Sequence, residues 1–173
     1  MSSPKVEVFI PADRIAARVA ALGEQINRDY EGRSIVAVGI LKGSFMFMAD
    51  LVRHLSIPVR LDFMGTRSYT GTKTSGEVQI TKDLDRPIEG EHVLLVEDII
   101  DTGLTLNFLV HSLAQRNPLS LKTVAFLDKP SQRRVDIHAD YVGFEIENRF
   151  VIGYGLDFEQ QYRQLPDLCV LAP

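Results

Sequence analysis

Three carboxylates lie within five residues of the sequence, directly after an apolar run with the composition of a buried strand. The run is Val93-Leu-Leu-Val96, the acids are Glu97, Asp98 and Asp101, and the turn Thr102-Gly103-Leu-Thr105 follows. A helix that begins at this turn would present unpaired backbone N–H groups, hydroxyls and the positive end of its dipole. Together these groups form an anion site suited to phosphate.

The two halves of this segment favour opposite ligands, because the carboxylates repel the phosphate that the turn attracts. A ligand satisfies both halves if it carries hydroxyls for the acids, or a divalent cation between the acids and its phosphates. A phosphorylated sugar with Mg²⁺ meets both conditions. The alternative is that Asp98 or Asp101 caps the helix and Glu97 is a solvated strand end.

Strands and helices alternate along the rest of the chain. Apolar periodicity predicts helices over about 11–30, from about Ser44, and over 104–116, and strands over 34–41, 59–63, 77–81, 92–96, 121–127 and 141–146. The alternation predicts a doubly wound, parallel α/β sheet, in which ligands bind beyond the carboxyl ends of the strands. Residues 42–44, 97–105 and 128–130 lie at such ends. The polar stretch 65–76 contains only Gly, Ser, Thr, Tyr, Lys and Arg, which predicts a mobile loop.

Length and composition are those of one ordinary globular domain spanning residues 1–173, of which 45% are apolar. The net charge of -4 argues against a nucleic-acid binder, and taken alone it also argues against a polyanionic ligand. Net charge limits long-range attraction, however, and says little about a pocket of N–H groups, cations and bound metal. The lone Cys169 and the absence of an apolar run of about 20 residues predict a cytoplasmic protein without a membrane segment.

The segment Glu97–Thr105 resembles the signature of the phosphoribosyltransferase family, which has two adjacent acids at a strand end and an Asp-Thr-Gly turn opening a helix. Further matches in order and spacing resemble the 6-oxopurine (hypoxanthine) branch of the purine phosphoribosyltransferases. They are Leu41-Lys42-Gly43, Ser68-Tyr69, Asp128-Lys129, 141–146, Phe150-Val151, Gly155-Leu156-Asp157 and Arg163. The resemblance covers residues 5–171 and implies a type I phosphoribosyltransferase fold, a doubly wound parallel sheet with a small hood and a flexible loop.

The resemblance also implies a reaction, in which a purine base and 5-phosphoribosyl-1-pyrophosphate give a nucleoside monophosphate and pyrophosphate with Mg²⁺. Glu97 and Asp98 would hold the ribose hydroxyls and a Mg²⁺ shell, and Asp157 a second Mg²⁺. The 5′-phosphate loop would be formed by Asp101, Thr102, Gly103, Leu104 and Thr105.

The remaining roles concern pyrophosphate and base. By resemblance, Leu41, Lys42, Gly43, Ser68, Tyr69 and Arg163 would bind pyrophosphate, with a cis peptide in the first of these segments; Lys129, Phe150, Val151 and Asp157 would bind the base. Asp101 would accept the proton of purine N7. Each role has an alternative: a loop-organising Asp101, a surface Lys129, a core Phe150, a plain turn at 41–43, and solvated Asp157 and Arg163 on a short helix.

Other functions share this fold. One is a relative with a different base preference, and another is a regulator that binds nucleotide or phosphoribosyl pyrophosphate without purine transfer. A regulator needs only the phosphate turn, whereas this sequence also holds Ser68-Tyr69, Lys129, Phe150 and Arg163, which favours catalysis. The family resemblance further implies a homodimer or homotetramer that uses the helix after Lys42-Gly43.

Overall fold

The computed structural model describes residues 5–69 and 77–171. The strands are β1 Val6–Ile10, β2 Ile35–Leu41, β3 Val59–Tyr69, β4 Glu77–Lys82, β5 His92–Ile100, β6 Ser120–Asp128, β7 Tyr141–Glu145, β8 Val151–Ile152 and β9 Leu168–Leu171. The helices are α1 Ala12–Asp29, α2 Phe45–Arg53 and α3 Leu104–Ala114, and a 3₁₀ turn spans Pro130–Gln132. Within the described ranges, no helix is long and apolar enough to cross a membrane.

The central sheet has the strand order β4-β3-β2-β5-β6-β7, and all its neighbours are parallel except the β3–β4 pair. The chain passes from β2 outward to β3 on one side, and later resumes at β5 on the other side of β2. The boundary between β2 and β5 is therefore the topological switch point, where open α/β sheets bind their ligands.

Helices cover both faces of this sheet because both faces of its central strands are apolar. On one face, α1 and α2 bury Ile15, Leu22 and Leu51 against Ala37 and Leu94. On the other face, α3 buries Leu106, Leu109 and Leu113 against strand residues such as Val38 and Leu95. The continuous β-branched runs of β2 and β5 thus supply alternate residues to two separate cores.

A second, antiparallel sheet with the order β1-β9-β8 forms a small hood. Val6 pairs with Leu171, and Val151 pairs with Val170. The hood joins the start of the described chain to its end and carries the segment that follows Phe150. The architecture predicted from the sequence, a doubly wound parallel sheet with a hood, is confirmed.

One predicted boundary is wrong. Residues 65–76 were expected to form a loop, but Gly65–Tyr69 continue β3 and pair with β4. Beyond Gly65, β3 pairs with β4 alone. A polar, Gly-rich composition does not prevent pairing in an antiparallel strand pair that has a face open to solvent. The remainder of the predicted loop, 70–76, lies outside the described residues.

Candidate functional site at the sheet switch point

A crevice opens where β2 and β5 part. These strands pair only as far as Gly39 and Val96, whereas each continues to pair with its outer neighbour, to Gly65 in β3 and to Asp128 in β6. The divergence leaves a cleft of about 360 Å³ at the carboxyl ends of the strands. Most of the predicted site residues line it: Leu41, Lys42, Gly43, Glu97, Asp98, Asp101, Thr102, Gly103, Thr105, Asp157 and Arg163.

Two adjacent carboxylates lie on the β5 side of the cleft. Glu97 is 5% exposed, and its burial, followed by the charge of Asp98, raises its pKa well above the usual range. Burial also raises the pKa of Asp98, to about 6, against the lowering effects of the Ile99 N–H and the charge of Arg163. Both acids are therefore held in surroundings that favour a neutral form, or an added cation or hydroxyl donor.

The segment that follows β2 lies in close contact with Asp98. At Gly43 a side chain would collide with the carboxylate of Asp98, so the close approach of the two strand ends requires glycine. The preceding peptide bond, Leu41–Lys42, is cis, as the family resemblance implies.

The Thr-Gly turn begins α3. Gly103 is the N-cap in the left-handed region, with φ of 83°, and its carbonyl accepts from the Asn107 N–H at 2.9 Å. Thr102 Oγ1 accepts from the Leu104 N–H at 3.3 Å, while Leu104 itself does not line the cleft. The N-cap Gly103 supplies no side-chain acceptor and the first turn of α3 holds no acidic residue, so the N–H groups that follow Leu104 and the helix dipole are available to an anion.

Two residues reach the cleft from the hood side. Arg163 pairs with Asp157 at 2.8 Å and donates to the Gly155 carbonyl at 2.7 Å. They lie on a chain of turns, so the short helix considered for them is wrong. Gln160 lies between them in sequence; its Oε1 accepts from Lys42 Nζ at 3.1 Å and from Arg163 Nη2 at 3.3 Å.

Of the four predicted base-binding residues, Asp157 lines this cleft, whereas Lys129, Phe150 and Val151 are not part of its lining. Lys129 is 6% exposed, and its Nζ lies 3.9 Å from Asp101 Oδ2. Phe150 is 59% exposed, which contradicts the alternative of a core phenylalanine, and it meets Phe158 edge to face at 5.8 Å between ring centroids. Val151 is buried in β8. Ser68 and Tyr69 end β3, next to the undescribed residues.

Oxygen donors dominate the site, which suits a hard cation such as Mg²⁺. Across the described part of the chain, His, Cys, Asp and Glu side chains nowhere gather in threes close enough to hold a metal ion by themselves. The buried pair Glu97 and Asp98 fits a hydrated Mg²⁺, because such an ion keeps several waters and needs only one or two carboxylates.

Sequence reasoning missed two residues of the site and its surroundings, Gln160 and Arg133. Gln160 bridges the side chains of Lys42 and Arg163, and nothing in its sequence neighbours marks it. Arg133 donates from Nη1 to the Asp101 carbonyl at 2.6 Å and pairs with the carboxylate of Asp128. The position of Arg133 soon after a predicted strand end was the one available signal.

Fold and site together define an α/β protein whose switch-point cleft is suited to a phosphorylated, hydroxylated ligand. The family model for the phosphoribosyl transferase domain matches residues 11–159. The chain is 50% identical over 169 residues to a hypoxanthine phosphoribosyltransferase of Haemophilus influenzae, covering 95% of this chain and 94% of that protein. It is 47% identical to a hypoxanthine-guanine phosphoribosyltransferase of Bacillus subtilis, covering 96% of this chain and 93% of the relative.

Solved structures agree with these matches. A hypoxanthine-guanine phosphoribosyltransferase of Bacillus anthracis superposes with a TM-score of 0.93 at 44% identity, covering 98% of this chain and 100% of that one. A hypoxanthine phosphoribosyltransferase of Trypanosoma cruzi, complexed with the product IMP, gives a TM-score of 0.91 at 43% identity, covering 100% of this chain and 93% of that one. The chain belongs to the phosphoribosyltransferase family.

Proposed function

We propose that this enzyme transfers the 5-phosphoribosyl group of 5-phosphoribosyl-1-pyrophosphate to hypoxanthine, and also to guanine, in purine salvage. The products are IMP or GMP and pyrophosphate. The relatives named hypoxanthine and hypoxanthine-guanine phosphoribosyltransferase match this chain over nearly its whole length, which supports the same activity here.

The observation that carries the choice of base is the pairing of Lys129 with Asp101. The ammonium and the carboxylate lie 3.9 Å apart and the ammonium is buried. A 6-oxopurine presents an acceptor, O6, beside a donor, N7–H, on one edge, so this donor and acceptor pair is complementary to it. Adenine has an amino donor in place of O6 and would oppose the ammonium, which supports a preference for 6-oxopurines.

In the proposed reaction, purine N9 forms a bond to C1′ while the bond from C1′ to the pyrophosphate oxygen breaks and its electron pair leaves with pyrophosphate. Asp101 accepts the N7 proton, for which its half-exposed carboxylate is suited. The Thr102–Thr105 turn holds the 5′-phosphate, and Lys42 and Arg163 stabilise the negative charge that accumulates on the leaving group. Phe150 stacks on the base, with Val151 at its N1/C2 edge.

Glu97, Asp98 and Asp157 would hold Mg²⁺, and the first two would also accept from the ribose hydroxyls. When bound, the metal would supply positive charge for the pyrophosphate oxygens. Asp157 already has Arg163 as a partner at 2.8 Å, so Glu97 and Asp98 are the acids whose raised pKa values most favour an added cation.

Three further elements of the proposal concern the surroundings of the site. Ser68 and Tyr69 would close over pyrophosphate and exclude water from the activated sugar. The chain would assemble as a homodimer or homotetramer through α2, whose Phe45 is 37% exposed. The cytoplasm is the proposed compartment, and the single, free Cys169 is consistent with it.

The test is a Mg²⁺-dependent assay of hypoxanthine, guanine, xanthine and adenine with phosphoribosyl pyrophosphate, measuring kcat/KM for each base. We expect hypoxanthine and guanine to react and adenine not to react. Lys129→Gln should reduce the preference for 6-oxopurines over adenine about tenfold, the loss expected for one charged hydrogen bond. Lys5→Gln, at an exposed lysine that pairs only with Glu7 on the surface, is the matched control. Absence of pyrophosphate release with every base would favour the regulator instead.

A further inference from the structure

The segment that follows β6 is bonded to the phosphate turn at three consecutive carbonyls. The Lys129 N–H donates to the Ile100 carbonyl at 2.9 Å, and the Arg134 N–H donates to the Thr102 carbonyl at 2.9 Å. Between them, Arg133 Nη1 donates to the Asp101 carbonyl at 2.6 Å. Of these three bonds, only the middle one is made by a side chain.

Arg133 is held at both ends of its guanidinium. Its Nη2 pairs with the carboxylate of Asp128, and only 11% of the Arg133 side chain and 7% of the Asp128 side chain are exposed. Asp128 is the last residue of β6 and lies in register with Ile100 at the end of β5. The guanidinium therefore fixes the main chain of Asp101 to the end of the neighbouring strand.

The stem of Arg133 also limits where the turn can lie. A Cβ atom placed on Gly103 would lie 2.9 Å from Arg133 Cδ, 2.8 Å from Ile137 Cγ2 and 3.1 Å from Val135 Cγ2. The segment 133–137 is therefore packed directly against the N-cap of α3, from which the N–H groups for the anion project. Arg133 itself does not line the cleft, and both Nη atoms already have partners.

We infer that Arg133 is a positioning residue that orients the phosphate turn and the main chain of Asp101 without touching substrate, with Asp128 fixing its guanidinium. The inference rests on the proposed function for its kinetic consequences. Misplacement of a reacting group by about 1 Å is enough to cost about 100-fold in rate.

The test separates positioning from folding with the double variant Asp128→Leu/Arg133→Met. Replacing both members of a buried ion pair by apolar residues of similar volume leaves stability nearly unchanged, whereas the Asp101 carbonyl loses its donor. We expect kcat/KM for phosphoribosyl pyrophosphate to fall about 100-fold, the Kd of ribose 5-phosphate to rise about tenfold, and the melting temperature to change little.

The matched control is Asp83→Leu/Arg116→Met, which makes the same two substitutions in a surface pair with a nitrogen to oxygen distance of 2.7 Å at the far end of α3. This control variant should have the same kcat/KM for phosphoribosyl pyrophosphate and the same Kd for ribose 5-phosphate as the unmodified protein. Unchanged kinetics and ribose 5-phosphate binding in the Asp128→Leu/Arg133→Met variant would overturn the inference. An unmodified protein that binds ribose 5-phosphate but shows no turnover would refute the proposed function, and the binding comparison would still decide the role of Arg133.

Discussion

Neighbouring strands β5 and β6 both carry buried or half-buried acids near their carboxyl ends, but only the acid of β6 has an ion-pair partner among the described residues. At the end of β6, the Asp128 carboxylate is paired with Arg133 inside the protein. At the end of β5, no Lys or Arg within residues 5–69 and 77–171 forms an ion pair with Glu97 or Asp98, and burial raises both pKa values.

On the proposed function, the contrast distinguishes a structural charge, that of Asp128, from the binding charges of Glu97 and Asp98. Asp128 contributes to the fold because its partner is built in. Glu97 and Asp98 cost stability while the cleft is empty of ligand, and that cost is offset when a cation or sugar hydroxyls arrive. A site that binds charged ligands keeps groups the fold alone would not favour.

The largest expected effect comes from removing the charge of a binding acid. Asp98→Asn should lower kcat/KM by about 100-fold or more, the range found when a preorganised polar group is lost from an active site. The free energy of unfolding at pH 7.5 should not fall, because the variant removes a buried charge that the ligand-free fold disfavours. Activity assays and urea unfolding measure the two quantities. Loss of stability together with activity would mean that Asp98 is a structural charge.

The second expected effect is a fall in the free energy of unfolding of the ligand-free protein as pH rises. The folded protein holds a proton on Asp98 up to a pKa of about 6, whereas the unfolded chain releases it near pH 4. The stability that this proton contributes is present below pH 4 and is lost as pH rises to about 6 and beyond; for Asp98 alone it amounts to about 3 kcal/mol.

Urea unfolding of the ligand-free protein between pH 4 and pH 7.5 measures this loss, with Asp98→Asn as the reference for all other titrations. The variant should lose less stability than the unmodified protein as pH rises. Equal pH dependence in the two proteins would contradict the raised pKa of Asp98.

The smallest effect is expected at the end of β6. Asp128→Asn keeps an acceptor for Arg133 but removes the opposing charge, so the free energy of unfolding should fall by about 2 kcal/mol. Its activity should exceed that of Asp98→Asn, since Arg133 still reaches the Asp101 carbonyl. Thermal unfolding and steady-state rates, measured side by side, test whether the two strand ends differ as described.

Much of the fold was predictable because it rests on local patterns. Buried runs at 34–41 and 92–96 and the periodicity of 11–30 correspond to β2, the start of β5 and α1. The hood strands β1 and β9 were missed, because each is short and its partner is remote in sequence. Gly65–Tyr69 were misassigned because β3 pairs only with β4 beyond Gly65, and such a two-stranded extension can be as polar as a loop.

The site residues also fall into two groups, those that local sequence patterns predict and those that depend on tertiary contacts. The acids and the Thr-Gly turn were predictable because a strand, a turn and a helix present them consecutively. The partners of Arg133 were not, since a Ser-Gln-Arg-Arg segment after a strand is typical of a solvated loop. Its burial depends on how β6 lies beside β5, which is a tertiary property.

The pairing of β1 with β9 also sets an order of events during synthesis. The hood sheet needs Leu168–Leu171, which pair with residues near the start of the chain. The residues of β2, β5 and β6, the Thr-Gly turn and Arg133 have all been synthesised by then. Asp157 and Arg163 lie between β8 and β9, so the hood side of the cleft depends on the strand of the described chain that is synthesised last.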